Sequence, residues 1–180
     1  MSQFPLIDYQ DISDPEIRTI YDEIRTELGF GVVPNLFKSM ATSQTFLASQ
    51  WQQFRMTMLQ GQLPRTLKEM IGIVISQANQ SPYALQVHLH SLSVLGISEA
   101  VLKQLVNNFE ECPLPARPKA VIRFGLLCAT QPQMLDTSHF AELRDEGLTD
   151  SEITEVMATA MLFLSINRYT DSIALEIDQL

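Results

Sequence analysis

A chain of 180 residues with 46% apolar and 18% charged side chains has the length and composition of one soluble globule. A formal net charge of -9, with no cluster of Lys and Arg set against it, excludes a surface built for nucleic acid. No apolar run approaches the roughly 18 residues needed to cross a bilayer. The opening MSQFPLIDYQD has neither the basic nor the apolar region of an export signal, so a cytoplasmic protein with no membrane partner is expected.

In chain order, Asp14 followed by Pro15 reads as the N-cap and first residue of a helix over PEIRTIYDEIRTEL. Its apolar stripe is Ile17, Ile20, Tyr21, Ile24 and Leu28, and Gly29 and Gly31 end it. A short helix follows Pro34. Ser43 then caps QTFLASQWQQFRMTML, with Phe46, Leu47, Trp51, Phe54 and Met58 on one face.

From Thr66 the run LKEMIGIVISQAN is apolar on most sides. It reads as a central helix, because both neighbours are helical and no hairpin turn flanks it. Ser81 is expected to cap a helix that starts at Pro82 and stops at Gly96, and Ser98 to cap EAVLKQLVNNF. Thr149 caps the final helical segment.

The two cysteines lie far apart, Cys112 in a Pro-flanked linker and Cys128 in an apolar helical run. They form neither a disulfide framework nor a metal knuckle; Cys128 reads as a packed hydrophobe and Cys112 as the more accessible thiol.

The order of signals recurs. An offset of 51 residues, with no gap, aligns Leu63-Pro64 with Leu114-Pro115, Lys68 with Lys119, Ile71 with Ile122, His88 with His139 and Gly96 with Gly147. The fold class is therefore all-α with an internal helical repeat. Residues 1–62 are expected as N-terminal helices packing on a core over 63–180, the whole forming one compact domain.

The stretch LPRTLKEMIGIVISQANQSPYALQVHLHSLSVLGIS resembles the signature of the carboxymuconolactone decarboxylase and alkylhydroperoxidase D (AhpD-like) superfamily, especially its peroxidase-related branch. GVVPNLFKSMATS and LTDSEITEVMATAMLFLSINRYTD add to the likeness, which covers most of the chain from about Gly31. In that pattern a Glu on a central helix is followed twelve residues later by Cys-x-x-Cys, then three residues and a His. Glu69 and His88 fill the Glu and His positions, while Ser81 and Ala84 stand at the two Cys positions. The resemblance implies an AhpD-like fold, a homo-oligomer and, in the peroxidase members, thiolate attack on a hydroperoxide with Glu and His relaying protons.

Ser81 cannot cycle through sulfenic acid and disulfide, and Ala84 has no nucleophile, so thiol chemistry at these positions is lost. A Ser81–His88 nucleophile pair is excluded by spacing, since seven helical residues rise about 10 Å. His88 and His90 point about 200° apart on a helix and cannot share an ion, so no metal and no cofactor are expected.

Glu69 and His88 are the candidate catalytic pair. A carboxyl in so apolar a helix rises in pKa unless a donor compensates, and an imidazole beside it makes a proton-transfer pair. A buried Glu satisfied by hydrogen bonds beside a core His is the bland alternative. Ser81, Tyr83 and Ala84 are candidate substrate-binding positions, with packing and capping as their alternatives. His139 has Ala120 where Glu69 stands in the first repeat, so the second repeat reads as scaffold.

Three functions follow: a thiol-independent enzyme exchanging protons with a small organic substrate, acidic or lactone-like; a non-catalytic oligomeric binding protein; or an alkylhydroperoxidase that uses Cys112 or Cys128.

Overall fold

The computed structural model describes residues 2–179. Among them are nine α-helices and no strand: α1 Pro15–Leu28, α2 Asn35–Met40, α3 Gln44–Phe54, α4 Arg65–Ala78, α5 Pro82–Val94, α6 Glu99–Asn108, α7 Ala116–Thr130, α8 Thr137–Asp145 and α9 Asp150–Ser172. The all-α expectation holds. No helix among the described residues is long and apolar enough to cross a membrane.

The centre is α4, buried without a break from Lys68 to Ser76. It packs against α5, α7 and α9, while α1 and α2 pack on α3. Gly72 permits the close approach of α9, since a Cβ there would lie 2.3 Å from the Phe163 ring. Lys68, buried within α4, donates to the carbonyls of Thr57 and Gln60 (2.8 and 2.5 Å) and pairs with Glu155. The Thr57 carbonyl lies in a π-turn, Arg55–Leu59, that continues α3.

Two helix ends match at the 51-residue offset. Ile97 N–H donates to Leu92 C=O and Leu148 N–H to Leu143 C=O, both at 3.0 Å, so α5 and α8 end in the same way. Each end turns through a left-handed glycine, Gly96 at φ 86° and Gly147 at φ 80°. The starts differ. Ser81 N-caps α5, but the 3₁₀ turn Pro132–Met134 takes up the equivalent stretch, and α8 begins only after Asp136.

Local chemistry explains most helix starts. Asp14 accepts from the Glu16 and Ile17 amides, Ser43 accepts from Phe46 N–H, and Thr149 forms a capping box with Glu152. Two expected caps differ: Ser81 and Ser98 hold the N-cap backbone position, but neither side chain makes the capping bond.

The cysteines exchange their expected roles. Cys112 is 1% exposed, sealed where the chain turns from α6 toward α7, while Cys128, in the last turn of α7, is half-buried. Phe46, expected on the buried face of α3, stands at the surface and leans on Tyr169.

Candidate functional site

Glu69, in the second turn of α4, is 1% exposed, and α5 lies across it. Its two oxygens are fully engaged. Oε2 lies 2.6 Å from His88 Nδ1, while Oε1 accepts from Ser91 Oγ at 2.8 Å and from Arg65 Nε at 3.2 Å. His88 and Ser91 are three residues apart on one face of α5, and Arg65 and Glu69 are four apart on α4. Both pairings follow from helical spacing once α4 and α5 pack face to face.

Burial pushes the Glu69 carboxyl up, but the adjacent His88, with Arg65 and Ser91, outweighs it and holds the pKa below the ordinary 4.5. Glu69 is therefore ionised near neutral pH. An ionised carboxylate only accepts, so the proton on that bond sits on His88 Nδ1. A neutral ring bonded in this way has Nε2 as its acceptor atom, and Nε2 has no hydrogen-bond partner among the described residues. Phe163 meets the imidazole edge-on, with centroids 4.5 Å apart, and fixes its plane.

His88 borders a narrow cavity of about 20 Å³. That is room for about one water. Leu36, Phe37, Phe54 and Ile166 line its apolar part, and Glu69, His88, Ser91 and Arg65 its polar edge. Arg65 also donates to the Leu28 carbonyl at 3.2 and 3.3 Å, tying α4 to the end of α1.

The expected binding positions divide. Ala84 and Tyr83 line the cavity. Ser81 does not: its hydroxyl donates to Asp171 Oδ1 at 2.8 Å and points toward α9, which also explains why it does not cap α5. Tyr83 contributes its ring but not its hydroxyl, which accepts from Leu36 N–H at 2.9 Å and donates to Asp178 Oδ2 at 2.6 Å. Burial, then the Asp178 charge, push the Tyr83 pKa well above 10, so it is not a proton donor to the cavity.

Arg65 and Ser91 escaped the sequence reading. The Arg65–Glu69 spacing was a signal available in the sequence; Ser91 had none before α4 and α5 were paired. Among the described residues no group of His, Cys, Asp and Glu is arranged to hold a metal ion. His90 turns away from His88 and packs edge-on against Phe30, at 5.5 Å between centroids.

Comparison with known proteins bears on this geometry. Residues 47–108 match the sequence profile described as Carboxymuconolactone decarboxylase family, a segment that holds Glu69, Ser81, Ala84 and His88. An alkylhydroperoxidase AhpD core, an uncharacterized peroxidase-related protein from Ralstonia eutropha JMP134, has the same fold. Its TM-score is 0.90 at 24% identity, over 99% of this chain and 93% of that one. A peroxidase-related protein from Silicibacter sp. TM1040 superposes at 0.89 with 23% identity, over 99% and 92%.

A cysteine-to-alanine variant of the debrominase Bmp8, in complex with 2,3,4-tribromopyrrole, superposes at 0.81 with 20% identity, over 99% and 95%. No curated protein matches the sequence. The profile match covers about a third of the chain, and the neighbours share its fold over nearly the whole length, so the AhpD-like fold that the sequence resembles is the fold of this protein.

Proposed function

We propose that the protein is a thiol-independent proton-transfer enzyme acting on a small organic substrate, with His88 as general base and Glu69 as the group that sets its tautomer and stabilises its charged form. The observation that carries this reading is the geometry of Glu69, hydrogen-bonded at once to His88 Nδ1, Ser91 and Arg65, beside a cavity that His88 lines; it orients the ring so that, when neutral, Nε2 is its acceptor. Arg65 and Ser91 are positioning residues that keep Glu69 charged and aimed.

The apolar wall favours a substrate with little charge. A relative of the same fold holds a small heteroaromatic molecule, which is consistent with that preference. Ala84 and the ring of Tyr83 would contact the substrate by shape alone. No cofactor is required, since the pair supplies both the acceptor and its counter-charge.

The thiol alternative is disfavoured by chemistry. Burial raises the pKa of both Cys112 and Cys128, the reverse of what a nucleophilic thiolate needs, and neither lines the cavity. The reading keeps self-association. Val94 and Leu95 stand exposed at the end of α5, and gel filtration at the 20.3 kDa of one chain would contradict it.

The test is hydrogen exchange from D₂O into a panel of small carbon acids (enolisable lactones, ketones and esters), read by mass spectrometry. Exchange should be abolished in His88→Gln, strongly reduced in Glu69→Gln and retained when Cys112→Ala and Cys128→Ala are combined. Exchange indifferent to His88→Gln, or a panel with no exchange at all, would leave the site as a binding pocket. Hydroperoxide turnover lost with the cysteines would restore the thiol reading.

A further inference from the structure

We infer that Phe30 is the gate of the Glu69–His88 cavity and so decides which molecules reach His88. The inference rests on the proton-transfer reading for its functional meaning, but on geometry for its content. A cavity that takes a benzene ring has a volume of about 150 Å³. Here the cavity is only about 20 Å³, so an organic substrate needs a wall to move.

Most of that wall is core. Of the lining residues only Phe30, Arg65 and Val87 are less than fully buried, and the mouth lies among these three. Arg65 is pinned by bonds to Leu28, Glu69 and Ser91. Val87 is fixed within α5, between Ala84 and His88.

The wall next to Tyr83 is braced from behind. Asp178 accepts from both the Tyr83 hydroxyl and the Asn35 amide (2.6 and 2.7 Å), holding the start of α2 against α5. Of the three residues at the mouth, Phe30 alone is carried on irregular backbone. It sits between Gly29 (φ 83°) and Gly31 (φ 70°), both left-handed. A Cβ on either glycine would meet nothing within 4 Å, so backbone conformation, not lack of space, is what glycine supplies there.

Two such residues around one aromatic ring form a short hinge. A change at their dihedrals swings the ring off His90 and opens the mouth without disturbing a helix.

The experiment measures access, not chemistry. The probe is 4-bromophenol, a neutral ring whose heavy atom quenches indole fluorescence. The reporter is Trp51, the one tryptophan of the chain. Its ring packs edge-on against Phe37 and stacks on Phe54, both of which line the cavity.

In stopped flow, the association rate of the unchanged protein should level off at high probe concentration, the mark of a step that precedes binding. Phe30→Ala should raise the plateau rate by about tenfold or more, while Val87→Ala, which widens the same mouth from its helical side, should leave it nearly unchanged. Association equally fast in all three proteins, or accelerated as much by Val87→Ala as by Phe30→Ala, would overturn the gate. Quenching absent from all three would overturn it too.

Because association involves no proton transfer, loss of the gate leaves the role of His88 standing, and failure of the D₂O exchange assay leaves the gate standing.

Discussion

Two helix pairs 51 residues apart, α4–α5 and α7–α8, end alike and differ at three of the four positions that build the site. Arg65, Glu69, His88 and Ser91 in α4 and α5 correspond, 51 residues on, to Ala116, Ala120, His139 and Glu142 in α7 and α8. Where Glu69 meets His88 in the interior, Ala120 fills its place with a methyl group, and His139 turns outward to pair with Asp136 in a capping box at the start of α8. A histidine alone at this register is thus a surface cap. It becomes a buried, oriented ring only with an acid on the preceding helix and a helix start early enough to carry it inside.

That contrast can be broken from either side. The largest effect is expected from Ala120→Glu, which places a carboxyl at a buried site with neither an Arg nor a Ser donor at the equivalent positions. It should cost about 4 kcal/mol in urea unfolding. If the second repeat accepted the acid without loss, the claim that only the first is built to hold one would fail.

Glu69→Gln, which removes the charge and turns one of the two acceptor oxygens facing Arg65, Ser91 and His88 into a donor, should cost about 3 kcal/mol. Gly72→Ala follows at about 2 kcal/mol, because the new methyl drives Phe163 toward His88 or forces α4 and α9 apart. His139→Gln is expected to leave the melting temperature almost where it was, since the pair it removes is on the surface.

The pH dependence sharpens the same comparison. The folded-state pKa of Glu69 lies below its unfolded value, so the chain that unfolds takes up a proton that the folded chain resists. Its contribution to stability is complete above about pH 4.5 and drains away as the pH falls through the lower folded value. The unchanged protein should lose stability on acidification below that point, and Glu69→Gln should lose less of it. Parallel pH curves for the two proteins would mean that Glu69 is not held ionised.

Most helix starts were legible in the sequence because each depends on residues a few places apart, as with Asp14 and Pro15 or Thr149 and Glu152. Glu69 and His88 were legible through their spacing in a known pattern. What escaped depends on contacts made only in the folded chain. Ser81 bonds to a residue 90 positions away, Asp171, which takes its hydroxyl from both the cap and the cavity.

Tyr83 likewise gives its hydroxyl to Asp178, near the end of the chain. The exposure of the two cysteines was misjudged for a related reason: a Pro-flanked linker suggests surface, but Cys112 closes the seam below α6, whereas Cys128 sits at a helix end that the core does not cover. Arg65 was within reach, four residues before Glu69, and needed only the question of what compensates a buried acid.

The most direct test of the central claim is the tautomer of His88, read from ¹⁵N chemical shifts and two-bond couplings at pH 8 in uniformly labelled protein. The account requires the proton on Nδ1, donated to Glu69, and a bare Nε2. A neutral ring with its proton on Nε2 would place the other proton on Glu69, leave a donor instead of a base at the cavity, and contradict the assignment.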